Sequence, residues 1–167
     1  MRTLILIALF TLSAFPQDYE QFNQPSTIEQ RKELFRRESP EGRRELWRIH
    51  LRTSLKKYKL NTEQKKLIRA LIKAETPDQI QVIMDGVRST FSFELGRKIF
   101  YTLGDADTLI SAEGEQILDC NCSTKSYNYS CYDYCAIPSH PPCNVVDGCG
   151  VFWMFICNGK CATGPVS

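Results

Sequence analysis

The chain has 167 residues, 43% hydrophobic and 24% charged, an ordinary globular composition with room for one domain or two small ones. No apolar run is long enough to span a bilayer as a helix, which takes about 20 residues. The net charge of +2 hides an asymmetry: residues 31–73 carry 15 Lys/Arg against 5 Asp/Glu, and residues 75–119 carry 3 against 9. Such a split marks either an anionic partner surface or a basic face packed near an acidic one in the same protein.

In chain order, Arg2 precedes a run from Leu4 to Leu12 that is apolar except for Thr11, and the small residues Ser13 and Ala14 follow. This pattern predicts a signal peptide over residues 1–17, cleaved on export. Helices are expected next, in a region spanning 18–118. Ser26-Thr27-Ile28-Glu29 has the form of a capping box for a first helix ending near Glu38. Ser39-Pro40 starts a second helix, with a cap and a first-turn proline. It carries Trp47, Leu51, Leu55 and Tyr58 on one face. Asn61-Thr62 caps a third, striped by Leu67, Ile68, Leu71 and Ile72. Thr76-Pro77 opens a fourth and longest, with Ile80, Ile83, Val87, Phe91, Leu95 and Ile99 at helical spacing, weakened by Gly86 and Gly96 and stopped by Gly104. Asp105 to Asp119 is read as a fifth short helix or a linker. No one of these helices is stable alone in water, so a small bundle of three to five is expected.

At Cys120 the composition changes. All eight cysteines (Cys120, Cys122, Cys131, Cys135, Cys143, Cys149, Cys157, Cys161) fall in the last quarter. A segment of this size cannot bury enough apolar surface to offset ordering its chain, at about 1.5 kcal/mol per residue. Four disulfides, each worth about 2–4 kcal/mol, would supply the margin. The rival use of the cysteines is zinc, but zinc knuckles favour Cys-x2-Cys and none is present. Residues 119–167 are therefore expected to form a disulfide-rich, loop-rich module with short β-strands. Its pairing is left open, except that Cys120 and Cys122 are too close in sequence to pair with each other. The apolar run Val151 to Ile156, flanked by Cys149-Gly150 and Cys157-Asn158-Gly159, is expected to be a strand.

Chemistry-bearing patterns are few. The only histidines are His50, on the second helix among arginines and read as a surface or packing residue, and His140, in a proline-rich loop. No nucleophile elbow, metalloprotease helix or phosphate loop is present. No catalytic residue, cofactor or metal site is expected.

The opening Cys120-Asn121-Cys122-Ser123-Thr124, the later Gly148-Cys149-Gly150 with Trp153, and Cys157-Asn158-Gly159 resemble the fulvocin C-related bacteriocin family over about a quarter of the chain. One departure lies at the end, where Cys157 stands alone and Cys161 follows, which allows at least one different disulfide. The resemblance implies a secreted bacterial antibacterial protein or precursor with the Cys-rich module as its active part and the helices as a pro-region. Phe152, Trp153 and Phe155 are then candidates for contact with a target envelope or membrane, or with a protein receptor; the bland alternative makes them the module's own core. The other functional expectation is a non-toxic secreted or cell-surface binding protein in which helices and tail act together. Nucleic acid is not an expected partner, because the basic stretch lacks interleaved aromatics.

Overall fold

The structure, a computed structural model, describes residues 19–110, 119–126, 129, 131, 134–137 and 143–162. The expected signal segment, the boundary at 118 and His140 lie outside the described residues.

Helix starts follow local capping chemistry. Helix α2 (Pro40–Lys57) begins behind Ser39, whose Oγ accepts from the Gly42 N–H. Helix α3 (Thr62–Lys73) begins behind Asn61 and helix α4 (Pro77–Thr90) behind Thr76, each in a reciprocal box with the glutamine three residues on. Helix α1 (Ile28–Arg36) begins one residue later than expected. Thr27 is its cap, Oγ1 accepting from Gln30 N–H at 3.2 Å, with Gln30 Oε1 accepting from Thr27 N–H at 2.8 Å. Ser26 is engaged elsewhere. Its Oγ accepts from Arg31 Nε at 2.9 Å, and its backbone bridges to Leu109.

The expected long fourth helix is broken, and neither Gly86 nor Gly96 breaks it. Phe91 leaves helical geometry (φ −110, ψ 138) and sets its ring edge-on to Phe100 at 5.0 Å. Ser92 then caps a new short helix, α5 (Phe93–Gly96), which widens into a π turn over Arg97–Tyr101. That turn places Ile99, Phe100 and Tyr101 in the core. Gly104 (φ +86) ends the region against the Phe22 backbone, where a Cβ would collide.

The C-terminal part has two small antiparallel pairs: β1 (Tyr134–Ala136) with β4 (Lys160–Ala162), and β2 (Val146–Cys149) with β3 (Phe155–Cys157). All eight cysteines are paired: Cys120–Cys143, Cys122–Cys135, Cys131–Cys161 and Cys149–Cys157. Four disulfides fit an oxidising environment. The run from Val151 is not one strand. Val151–Trp153 is a 3-10 turn with Phe152 and Trp153 at φ 56 and 54, and only Phe155 onward is extended. Helices and tail share one hydrophobic core, which runs from Phe22, Leu46 and Trp47 through Val87 and Phe100 to Tyr129, Val151, Phe152 and Trp153. Among the described residues no helix is long and apolar enough to cross a membrane.

Candidate functional site

The Cys149–Cys157 disulfide closes the smallest covalent loop in the chain, a separation of eight residues, and the 3-10 turn sits at its tip. Gly150 (φ +68) packs against Ser126, with no room for a Cβ, and Ser126 Oγ accepts from the Val151 N–H at 3.3 Å. The left-handed backbone at Phe152 and Trp153 costs about 1–2 kcal/mol per residue. Burial of two large aromatic side chains, 3% and 4% exposed, offsets it. Trp153 stands edge-on to Phe35 of α1 at 5.3 Å and to Trp47 of α2 at 5.5 Å. Phe152 meets Trp47 at 5.0 Å and Phe100 at 6.1 Å. A second anchor is Tyr129, 1% exposed, seated where Gly96 leaves space.

Around this junction lies a cleft of about 490 Å³, within the usual range for small-ligand sites of about 300–1,000 Å³. One wall is a single face of α2: Arg44, Trp47, Arg48 and Leu51, at steps of three and four residues. A second is the α3–α4 corner with Leu71, Ala74, Pro77 and Ile80. The tail supplies the third with Gly148, Trp153, Met154 and Phe155. Charged groups in the lining are Arg43, Arg44 and Arg48 against Glu75 and Asp147. Arg43 is committed to the end of α1, donating to the carbonyls of Phe35, Arg36 and Glu38. Among the described residues, the ion pairs of Arg44 and Arg48 are long ones on their own helix, with Glu41 (3.6 Å) and Glu45 (3.8 Å); Arg44 is exposed and Arg48 partly buried. The indole N–H groups of Trp47 and Trp153 are buried with no acceptor among the described residues. An unpaired buried donor costs about 1–3 kcal/mol.

Three buried polar groups of the helices are not in the cleft lining. Arg31, with no exposure, donates to Ser26 Oγ, Thr108 Oγ1 and the carbonyls of Leu103 and Asp105, tying α1 to the chain that leaves the π turn. Burial pushes the Lys32 ammonium down to about 8; it lies 5.5 Å from the Tyr101 ring centroid. His50 is a buried packing residue, its Nδ1 accepting from Tyr19 O–H at 2.8 Å and Gly104 N–H at 3.3 Å. Desolvation lowers it to about 4.

The sequence expectation for a target contact gathers Phe152, Trp153 and Phe155. Here the first two fill the core between helices and tail, and Phe155 is half-buried in the cleft wall. Direct contact through Phe152 or Trp153 requires the tail to leave the helices. Three sulfurs, of Cys122, Cys131 and Cys161, lie within 4.8 Å of one another, but each is bonded in a disulfide and offers no thiolate to a metal. Sequence reasoning missed the cleft itself. The signal present was Arg44-x2-Trp47-Arg48-x2-Leu51, which mixes guanidinium groups into an apolar stripe. Lys57 of the basic stretch pairs with two carboxylates of the acidic one, its Nζ lying 2.5 Å from Asp105 and 3.1 Å from Asp107. Compared with protein-family models, curated proteins and solved structures, the chain matches none.

Proposed function

We propose that this chain is an exported, disulfide-stabilised binding protein whose helices and Cys-rich tail remain joined and act as one body at a bacterial cell surface. The observation that carries this reading is the shared core, in which Phe152, Trp153 and Tyr129 of the tail complete the packing of α1, α2 and the π turn. Detaching the tail would expose both partners. The apolar run at residues 4–12 and the four disulfides support export to an oxidising compartment. Intact mass of the natural product tests it: a species of about 16–17 kDa is expected, and a free tail of about 5 kDa overturns it.

A bacteriocin-like activity residing in the tail is the second reading. It is favoured by one observation besides the family resemblance: all four disulfides close within the tail and none reaches the helices. The tail also exposes Ile137, Val145, Met154 and Ile156, apolar side chains free to meet an envelope. Growth inhibition by the oxidised tail across a broad bacterial panel is the test, and inactivity on every strain counts against it.

A further inference from the structure

We infer that the cleft between α2, the α3–α4 corner and the tail is a binding site for a small anionic amphiphile, an apolar chain ending in a carboxylate. The inference deepens the joined reading and rests on it, because one of the three walls belongs to the tail. The lining states the ligand's two halves. Leu71, Ala74, Ile80 and Phe155 offer apolar walls, which water fills at a loss and a hydrocarbon chain fills at a gain. Arg44 and Arg48 project from one face of α2, each with donor capacity that its long intrahelical ion pair leaves unused among the described residues. Two guanidinium groups one helical turn apart suit a carboxylate better than a neutral or cationic head. Trp47 and Trp153 add aromatic surface to the same lining, each at least nine-tenths buried.

The protein carries its own reporter, since Trp47 and Trp153 are its only tryptophans and both line the site. The oxidised, mature protein is titrated with dodecanoate below its micelle concentration. Tryptophan emission and calorimetry are followed in parallel. A saturable emission change with one-to-one stoichiometry is expected. Dodecyl maltoside and dodecyltrimethylammonium should bind at least tenfold more weakly. The double substitution Arg44→Gln with Arg48→Gln should weaken dodecanoate at least tenfold and leave the maltoside unchanged. Ala74→Phe, which enlarges a side chain in the α3–α4 wall, should abolish calorimetric binding while the far-UV spectrum stays that of the parent. Equal affinity for the three head groups overturns the proposal, and so does indifference to both arginine changes. Preferential adsorption to phosphatidylglycerol vesicles with no binding of monomeric dodecanoate overturns it in favour of a membrane surface. Failure to bind by a secreted product of about 16–17 kDa removes the ligand class and leaves the joined reading standing; a secreted product already cut before Cys120 removes both.

Discussion

His50 is a residue whose partners decide its protonation. Two donors, the Tyr19 hydroxyl and the Gly104 N–H, converge on Nδ1, so that nitrogen carries a lone pair and the proton sits on Nε2. Burial holds the Tyr19 phenol well above its ordinary range, so it stays a donor at any moderate pH. A second proton on Nδ1 would set donor against donor at a ring that is 3% exposed. The folded-state value is about 4 and the unfolded value about 6.5. The folded state therefore binds this proton less readily than the unfolded state does. The stability it contributes is fully present above about 6.5 and is lost as pH falls toward about 4, by at most about 3 kcal/mol. Asp105, held below the usual carboxylate range by its hydrogen bond from Lys57, loses its contribution at lower pH than this window. Urea unfolding from pH 7 to 4 should show a steep fall in the parent. His50→Leu should be less stable at pH 7, because Tyr19 and Gly104 lose their acceptor, yet nearly flat across the same window. A parent profile that is flat between 6.5 and 4 would sink the assignment.

Among the elements, starts were legible and interruptions were not. Ser39-Pro40, Asn61 and Thr76-Pro77 each combine a side-chain acceptor with a residue suited to the first turn, and each begins a helix. At Ser26-Thr27 two adjacent hydroxyls competed for one cap. Arg31, at the end of the helix's first turn, took Ser26 and left Thr27. The break at Phe91-Ser92 was hidden because the apolar spacing runs straight through it. What sets it is a tertiary fact, the Phe91–Phe100 contact. The two glycines test this account. By helix propensity alone, alanine at either Gly86 or Gly96 stabilises by up to about 1 kcal/mol. At Gly86 the added Cβ would meet only the end of the Leu67 side chain, at 3.2 Å, which can shift. At Gly96 it would land in the Tyr129 ring. Gly86→Ala should therefore raise Tm or leave it unchanged, whereas Gly96→Ala should destabilise by about 1–3 kcal/mol, the cost of overpacking. Thermal melts of the two variants side by side give the answer, and a stabilised Gly96→Ala would show that Tyr129 is not wedged there.

At the scale of the whole molecule, the order of the chain suggested two parts, and the cysteines do stay with their own part. The core does not. Composition changes sharply at Cys120, but no pattern in a single sequence says that an aromatic pair in the second part fills a gap in the first. Their spacing even argued for a plain strand, and the left-handed turn at Phe152 and Trp153 is affordable only because Trp47, Phe35 and Phe100 wait on the other side. Trp153→Ala separates the two views. Truncating a buried tryptophan costs about 3–5 kcal/mol. If tail and helices were independent, that loss would fall on the tail, which holds little helix, and ellipticity at 222 nm would melt as before. With a shared core, the helices should melt earlier, in one transition with the tail, although no helical residue has changed. Ile156→Ala is the matched control, because Ile156 lies three residues away on β3 and is 56% exposed; its melt should stay within about 0.5 kcal/mol of the parent. The double change Cys149→Ala with Cys157→Ala should act in the same direction as Trp153→Ala, because it opens the loop that holds the turn in place. A helical transition untouched by both Trp153→Ala and the opened loop would return the molecule to two separable pieces.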